Sequence, residues 1–305
     1  MRVSRPIRGI FIANLIAQMG IVVTGAIVRL TGSGLGCPTW PECVEGSYVP
    51  TARQEEAWHK YVEFGNRLLT FVLVILAVAA IVGALIDRSR RRRSGAAPRP
   101  AIVLLALIPI AATAVQAVLG GVTVLTGLHP ATVAAHFLVS IAIIAGCTAL
   151  VVRSGDPGDR PITLLVRPEI RWLTWAVVAV SAAVVFVGTI VTGSGPHSGD
   201  AEAENRFSFD PRTVAWLHAD LVLLFLGLLI GLIVALHVTD APRRARQAAW
   251  LLLAVAIAQG IVGYTQYFTG LPVAAVTVHV IGAVVTWVLT LLLLAPQRTR
   301  GIPAA

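Results

Sequence analysis

Long apolar runs, separated by short polar or proline-containing segments, set the pattern of this chain. A stretch of about 20 apolar residues crosses a bilayer core. Eight runs reach that length, at about residues 8–30, 59–86, 101–126, 131–153, 172–195, 213–238, 247–268 and 274–295. The pattern predicts an all-α polytopic membrane protein with eight transmembrane helices.

Composition agrees. The chain has 305 residues, of which 56% are hydrophobic and 13% charged, against about 25% charged in a soluble domain. No cleavable signal peptide is expected, because the first apolar run is too long for one and has no small-residue cleavage site before the polar loop. The net charge of +9 fits membrane topology rather than nucleic acid. With a cytoplasmic N-terminus, inside segments hold Arg2, Arg5, Arg8, most of residues 88–93, Arg99, Arg153, Arg160, Arg167, Arg171, Arg243, Arg244, Arg246, Arg298 and Arg300. Outside segments and span ends hold only Arg29, Arg53, Lys60, Arg67, Arg206 and Arg212. The positive-inside rule therefore places both termini in the cytoplasm. RSRRRRSG at 88–95 reads as a topogenic loop of that side, with anionic lipid as the other reading.

The chain repeats itself. VQAVLGGVTVLTGLHPATVAAH (115–136) aligns without a gap on AQGIVGYTQYFTGLPVAAVTVH (258–279), matching Gln116 to Gln259, Gly120 to Gly263 and His136 to His279. VTGAIVRLTGSG (23–34) echoes FVGTIVTGSGP (186–196), and VEFGNRLL (62–69) echoes VAWLHADL (214–221), which sets Asn66 opposite His218. The expected architecture is two pseudo-symmetric four-helix bundles in the same orientation, residues 1–153 and 172–305, joined by a polar cytoplasmic linker at 154–171.

The repeat aligns polar groups that a membrane span rarely tolerates. His136, His218, His279 and Asn66 all lie a few residues inside spans that start outside, at about 8 Å depth. Ionisable groups at such places mark function by default. Two histidines on facing helices suit a haem clamped between imidazoles. Zinc needs three or four ligands, and the C-terminal half offers no buried Cys. Gly120, Gly121, Gly260 and Gly263 are read as making room for a flat macrocycle. Arg29, at the outer end of span 1, is a candidate partner for a propionate.

The N-terminal half differs. His59, Glu63, Asn66 and Thr70 share one face of span 2, and Arg67 is one turn from Glu63. Glu63 has a salt-bridge reading and a reading as a carboxylate held beside a bound ligand. No acid matches it in the other half, where Ala215 takes its place. Cys37 and Cys43 lie in the loop SGLGCPTWPEC (33–43). A metal site would need further ligands, which do not cluster there. A staple and a redox-cycling dithiol both stand. Cys147, inside span 4, reads as a small buried hydrophobe.

GAIVRLTGSGLGCPTWPEC, EFGNR, AAHFLVS, LHADLV and TVHVIGA, in that order, resemble the haem A synthase family, and EFGNR most resembles its actinobacterial branch. The resemblance implies an eight-helix fold with haem b held by His218 and His279. It implies a haem O substrate in the N-terminal half, with His136 on the iron and Glu63 as the acid tied to activity, and a disulfide between Cys37 and Cys43. The implied reaction oxidises a ring methyl of haem O to a formyl group, giving haem A for cytochrome oxidase assembly. Many members have His at the place of Asn66, so His136 is the one protein ligand expected there. Some members carry a second Cys pair after span 5, where this chain has none.

Implied partners are membrane lipid, a haem O synthase and an electron acceptor, with no nucleic acid and no signal for an oligomeric state. The expected location is the plasma membrane. A dihaem b-type electron-transfer cytochrome is the competing reading, weakened by the Glu63/Asn66 asymmetry. A parallel-repeat transporter is a third, weakened because the polar layer is displaced from the midplane.

Overall fold

A computed structural model describes residues 2–52, 54–197, 199–200 and 205–300, so Arg53 lies outside the described residues. Eight helices follow one another: α1 Arg5–Leu30, α2 His59–Arg93, α3 Pro100–Leu125, α4 Pro130–Gly155, α5 Pro168–Ser194, α6 Pro211–Val238, α7 Arg243–Phe268 and α8 Val273–Leu292. All eight are long and apolar enough to cross a membrane. Inside a bilayer a helix satisfies its backbone groups within itself, which is why these sequences take no other form. Proline opens the first turn of α1, α3, α4, α5 and α6, where its missing N–H costs nothing and its φ suits the helix.

α2 departs most from the expected bounds. It runs through the arginine run to Arg93, a length of about 52 Å, well beyond a core of about 30 Å. Arginine is a good helix former, and a cationic last turn suits the helix dipole. Arg91 also folds back on Asp87, one turn earlier, at 2.8 Å with both side chains buried.

The helices form two bundles. α1–α4 pack in the order α1·α2, α2·α3, α3·α4 and α1·α4, and α5–α8 repeat that order. In each bundle the second and fourth helices are diagonal partners. α1, α4, α5 and α8 meet between the bundles around Ile144, Cys147 and Val284, where Trp287 Nε1 on α8 donates to the Ile141 carbonyl on α4 at 3.0 Å. The outward faces stay apolar: Phe71, Ile75, Leu223 and Phe268 are exposed, as a lipid-facing surface requires. Exposed Trp58 and Trp216 lie near one end, and Trp172 and Trp250 near the other, the placing of interfacial aromatic belts.

The arginine-rich end is tied by a clasp of linker and tail. β1 (Thr163–Leu164) pairs antiparallel with β2 (Arg298–Thr299). Asp156 takes Arg153 at 2.7 Å and Arg298 at 3.0 Å, and Asp159 takes Arg153 at 2.6 Å and Arg99 at 3.1 Å. Buried Gln297 bonds Thr174 of α5. The link between the bundles is thus a bonded structure as well as a polar connection.

At the other end, the α3–α4 and α7–α8 turns repeat in detail. Gly127 and Leu128 have φ of 59° and 57°, and Gly270 and Leu271 have φ of 79° and 60°. Leu128 N–H reaches back to the Thr123 carbonyl at 2.9 Å, as Leu271 N–H does to Gln266 at 2.7 Å. This closes each helix with a left-handed cap. A leucine in that region is strained. Leu128 offsets its strain by burial, with its side chain against Gly34 and Gly199.

Candidate functional site

Each helical hairpin sets one polar side chain at the same level, near the cysteine-loop end. Asn66, His136, His218 and His279 lie six or seven residues into α2, α4, α6 and α8. A glycine lies opposite each, five or six residues before the end of the preceding helix. A Cβ on Gly120 would stand 3.4 Å from His136 Cε1, one on Gly188 3.2 Å from His218 Cε1, and one on Gly263 3.3 Å from His279 Cε1. A Cβ on Gly25 would stand 3.9 Å from Asn66 Nδ2. The glycines let an imidazole edge press on the neighbouring helix, which fixes the ring plane.

Of the four glycines expected to clear space for a macrocycle, three have a close side-chain neighbour and one faces open space. Gly120 and Gly263 seat the histidines. Gly121 seats the Trp40 indole, at 2.5–2.8 Å from its Cβ position, and Gly260 faces nothing within 4 Å. Gly263→Val is expected to push His279 off its seat and lower haem retention on purification, read from the absorbance of the purified protein. Gly260→Val is the neutral control.

The histidines are also held from behind. Gln116 Nε2 donates to the His136 carbonyl and Gln259 Nε2 to the His279 carbonyl, both at 2.9 Å, and Gln116 Nε2 also reaches Ser140 Oγ. Their repeat alignment was visible in the sequence, but their role was not. Gly25 and Gly188 were missed, although they align in VTGAIV and FVGTIV.

The C-terminal pair fits a haem iron. The His218 and His279 ring centroids lie 6.5 Å apart, on the diagonal helices α6 and α8. With metal–imidazole bonds of about 2 Å and each ring centre about 1 Å behind its nitrogen, two axial imidazoles sit about 6 Å apart. The Nδ1 atoms of all three histidines are buried without a hydrogen bond of ordinary geometry, although His218 has the Val184 carbonyl nearby. Nε2 is left as the accessible nitrogen of each ring. No group of three or more His, Cys, Asp or Glu able to hold a metal ion occurs among the described residues, so the donor set suits a macrocycle-bound metal rather than a bare ion.

The N-terminal half is built differently. Cys37 and Cys43 form a disulfide, both fully buried. The Cys37 amide donates to Glu63 Oε2 at 2.7 Å. Arg67 donates Nε and Nη2 to Glu63 Oε1 at 3.0 and 2.6 Å, and its remaining bonds go to the carbonyls of Cys37, Thr39 and Glu42. Glu63 and Arg67 therefore hold the cysteine loop from below, and Trp40 holds it from the side on α3, one residue from the seat of His136.

Gly36 brings the loop onto α2, because a Cβ there would lie 2.5 Å from the His59 carbonyl. His59 Nδ1 bonds Ser33 Oγ at 2.8 Å, and its ring stacks on Trp58. Asn66 Oδ1 accepts from Thr24 Oγ1 at 2.7 Å.

Arg29 donates Nε to the His197 carbonyl at 2.8 Å and Nη2 to the Thr192 carbonyl at 3.0 Å. That clamps the α5–α6 loop across the N-terminal bundle, where Gly34 N–H also meets the Gly199 carbonyl at 2.7 Å. His129 caps α4, His197 bonds the Leu271 carbonyl and His237 bonds the Ile233 carbonyl, so these three lie outside the polar layer. Cys147 is buried and accepts a weak bond from Asn14. At the start of α6, the Thr213 hydroxyl and amide hold the Asp210 carboxyl below the ordinary carboxylate range.

Comparison with known proteins gives a consistent result. The chain is 28% identical over 194 residues to a heme A synthase of Lysinibacillus sphaericus, covering 63% of this chain and 59% of that one. It is 33% identical over 116 residues to a heme A synthase of Geobacillus kaustophilus, covering 38% and 32%. It is 27% identical over 191 residues to a heme A synthase of Halalkalibacterium halodurans, covering 60% and 59%. The chain thus matches less than two thirds of the length of these relatives. The profile of the cytochrome oxidase assembly protein family matches residues 8–291, nearly all of the chain. This chain belongs to the cytochrome oxidase assembly protein family.

Proposed function

We propose that this protein is a heme A synthase, oxidising a ring methyl of haem O to a formyl group. The observation that carries this is the asymmetry of two matched halves. One presents a facing imidazole pair, and the other a single imidazole with a buried carboxylate and a braced loop.

His218 and His279 would hold a haem b, which would supply one-electron transfer when bound. His136 would bind the iron of the substrate haem O. Glu63 would take up a proton at its carboxylate as the methyl is oxidised, while Arg67 keeps that carboxylate in place. The cysteine loop, with Trp40 on α3, would exclude water from the substrate. The loop end would face out of the cell and the arginine-rich end, with both termini, the cytoplasm of a plasma-membrane protein. A haem O synthase and an external electron acceptor are the expected partners.

The test is a haem extract of membranes expressing the protein with and without a haem O source. Haem A formed only with the source supports the reading. Haem b alone under both conditions would favour an electron-transfer cytochrome instead. A Cys37→Ser/Cys43→Ser double variant is expected to lower haem A yield several-fold while keeping the haem b spectrum. Unchanged yield and stability would remove the loop's role.

A further inference from the structure

The α1–α2 hairpin repeats the Gly-to-imidazole device of the other three with one change: Asn66 stands where they carry histidine. A carboxamide nitrogen has no lone pair to give a metal and acts only as a donor. The carboxamide oxygen accepts from Thr24 Oγ1 at 2.7 Å, which turns Oδ1 toward α1 and orients the amide, and the atom nearest Gly25 is Nδ2.

No neighbour supplies a replacement ligand. Glu63 is bonded through both oxygens to Arg67 and the Cys37 amide. His59 is tied to Ser33 through Nδ1 and lies about 10 Å along the helix axis from Asn66. Asparagine is also shorter than histidine, which leaves space for a small molecule between its amide and a metal held on the opposite side by His136.

We propose that the N-terminal half is a binding site for a small exogenous iron ligand: a water, a simple anion or a diatomic molecule. The ligand would sit on the axial face opposite His136, with the Asn66 Nδ2 donating a hydrogen bond to it. The inference rests on the reading of this half as a haem O site. It predicts that the two halves differ in spin state, with the His218/His279 site low-spin and closed and the His136/Asn66 site high-spin and open.

The test uses full-length protein purified with haem b and titrated with haem O, followed by optical and electron paramagnetic resonance spectra. The expected result is a second haem, bound at one per chain and lost in His136→Ala. It is high-spin when ferric, converts to low-spin with cyanide and forms a carbon monoxide adduct when ferrous. Asn66→His is expected to make it low-spin and to abolish the adduct. Asn66→Leu is expected to keep the high-spin signal but weaken cyanide about tenfold, the loss of one hydrogen bond to a charged acceptor.

A second haem that binds but is low-spin and indifferent to carbon monoxide overturns the proposal alone. Cyanide affinity unchanged in Asn66→Leu overturns the role of the amide. Failure of any second haem to bind overturns the reading of this half as a haem O site.

Discussion

His279→Ala is expected to remove the low-spin haem spectrum from the purified protein and to reduce haem A formation to background. The His279 ring faces His218 at 6.5 Å between centroids and lies against Gly263, so alanine removes one of the two facing imidazoles. Loss of groups that merely orient a ligand weakens metal binding by about 10–100-fold, and loss of the ligand itself should exceed that. The space vacated beside Gly263 matches an imidazole ring, so imidazole added to the variant is expected to recover part of the low-spin signal. A structural collapse of the bundle would not be rescued in this way.

His129→Ala, His197→Ala and His237→Ala should leave the spectrum intact, because each of these rings serves a cap or a backbone carbonyl. Retention of the low-spin signal by His279→Ala would show that the iron is held elsewhere.

The spans were legible because bilayer solvation imposes one pattern on every crossing helix, and the repeat exposed the polar layer by aligning His136 with His279 and Asn66 with His218. The helix starts were less legible. The apolar runs begin after the prolines at positions 100, 130, 168 and 211, whereas the helices begin on them, since a helix can start in the polar boundary where hydropathy gives no signal. Long-range bonds carried the least signal. Arg67 was readable as a partner of Glu63 from their spacing, but nothing in the sequence joins either to the carbonyls and amide of a loop some 25–30 residues earlier.

Arg29 was legible as a cation at a span end, but nothing in the sequence joins it to carbonyls more than 160 residues away. The repeat and the shared level already set Asn66 in a histidine's place in the sequence, and the structure adds the Gly25 contact that matches the glycine seats of the three histidines.

Glu63→Ala is expected to retain the haem b spectrum while haem A formation falls by about 10²–10⁴-fold, the usual contribution of a positioned acid–base group, with haem O or an alcohol intermediate accumulating. The variant alone does not separate proton transfer from bracing. The alanine also leaves the half-buried Arg67 without its carboxylate and frees the Cys37 amide, so the loop loses two of its ties to α2.

Glu63→Gln separates the two. Its carboxamide oxygen can accept from the Cys37 amide or from Arg67 but carries no charge and takes up no proton near neutral pH. If the carboxylate handles protons, Glu63→Gln should keep the Cys37–Cys43 disulfide as resistant to added reductant as in the parent protein, measured by thiol labelling, and still form little haem A. If Glu63 acts only by holding the loop, then labelling and haem A yield should recover together, and the proton-transfer role would be lost. Arg67→Lys completes the comparison. It keeps the charge beside Glu63 but cannot span the carbonyls of Cys37, Thr39 and Glu42 from one planar fork, so it is expected to loosen the loop and raise labelling with only a several-fold loss of haem A.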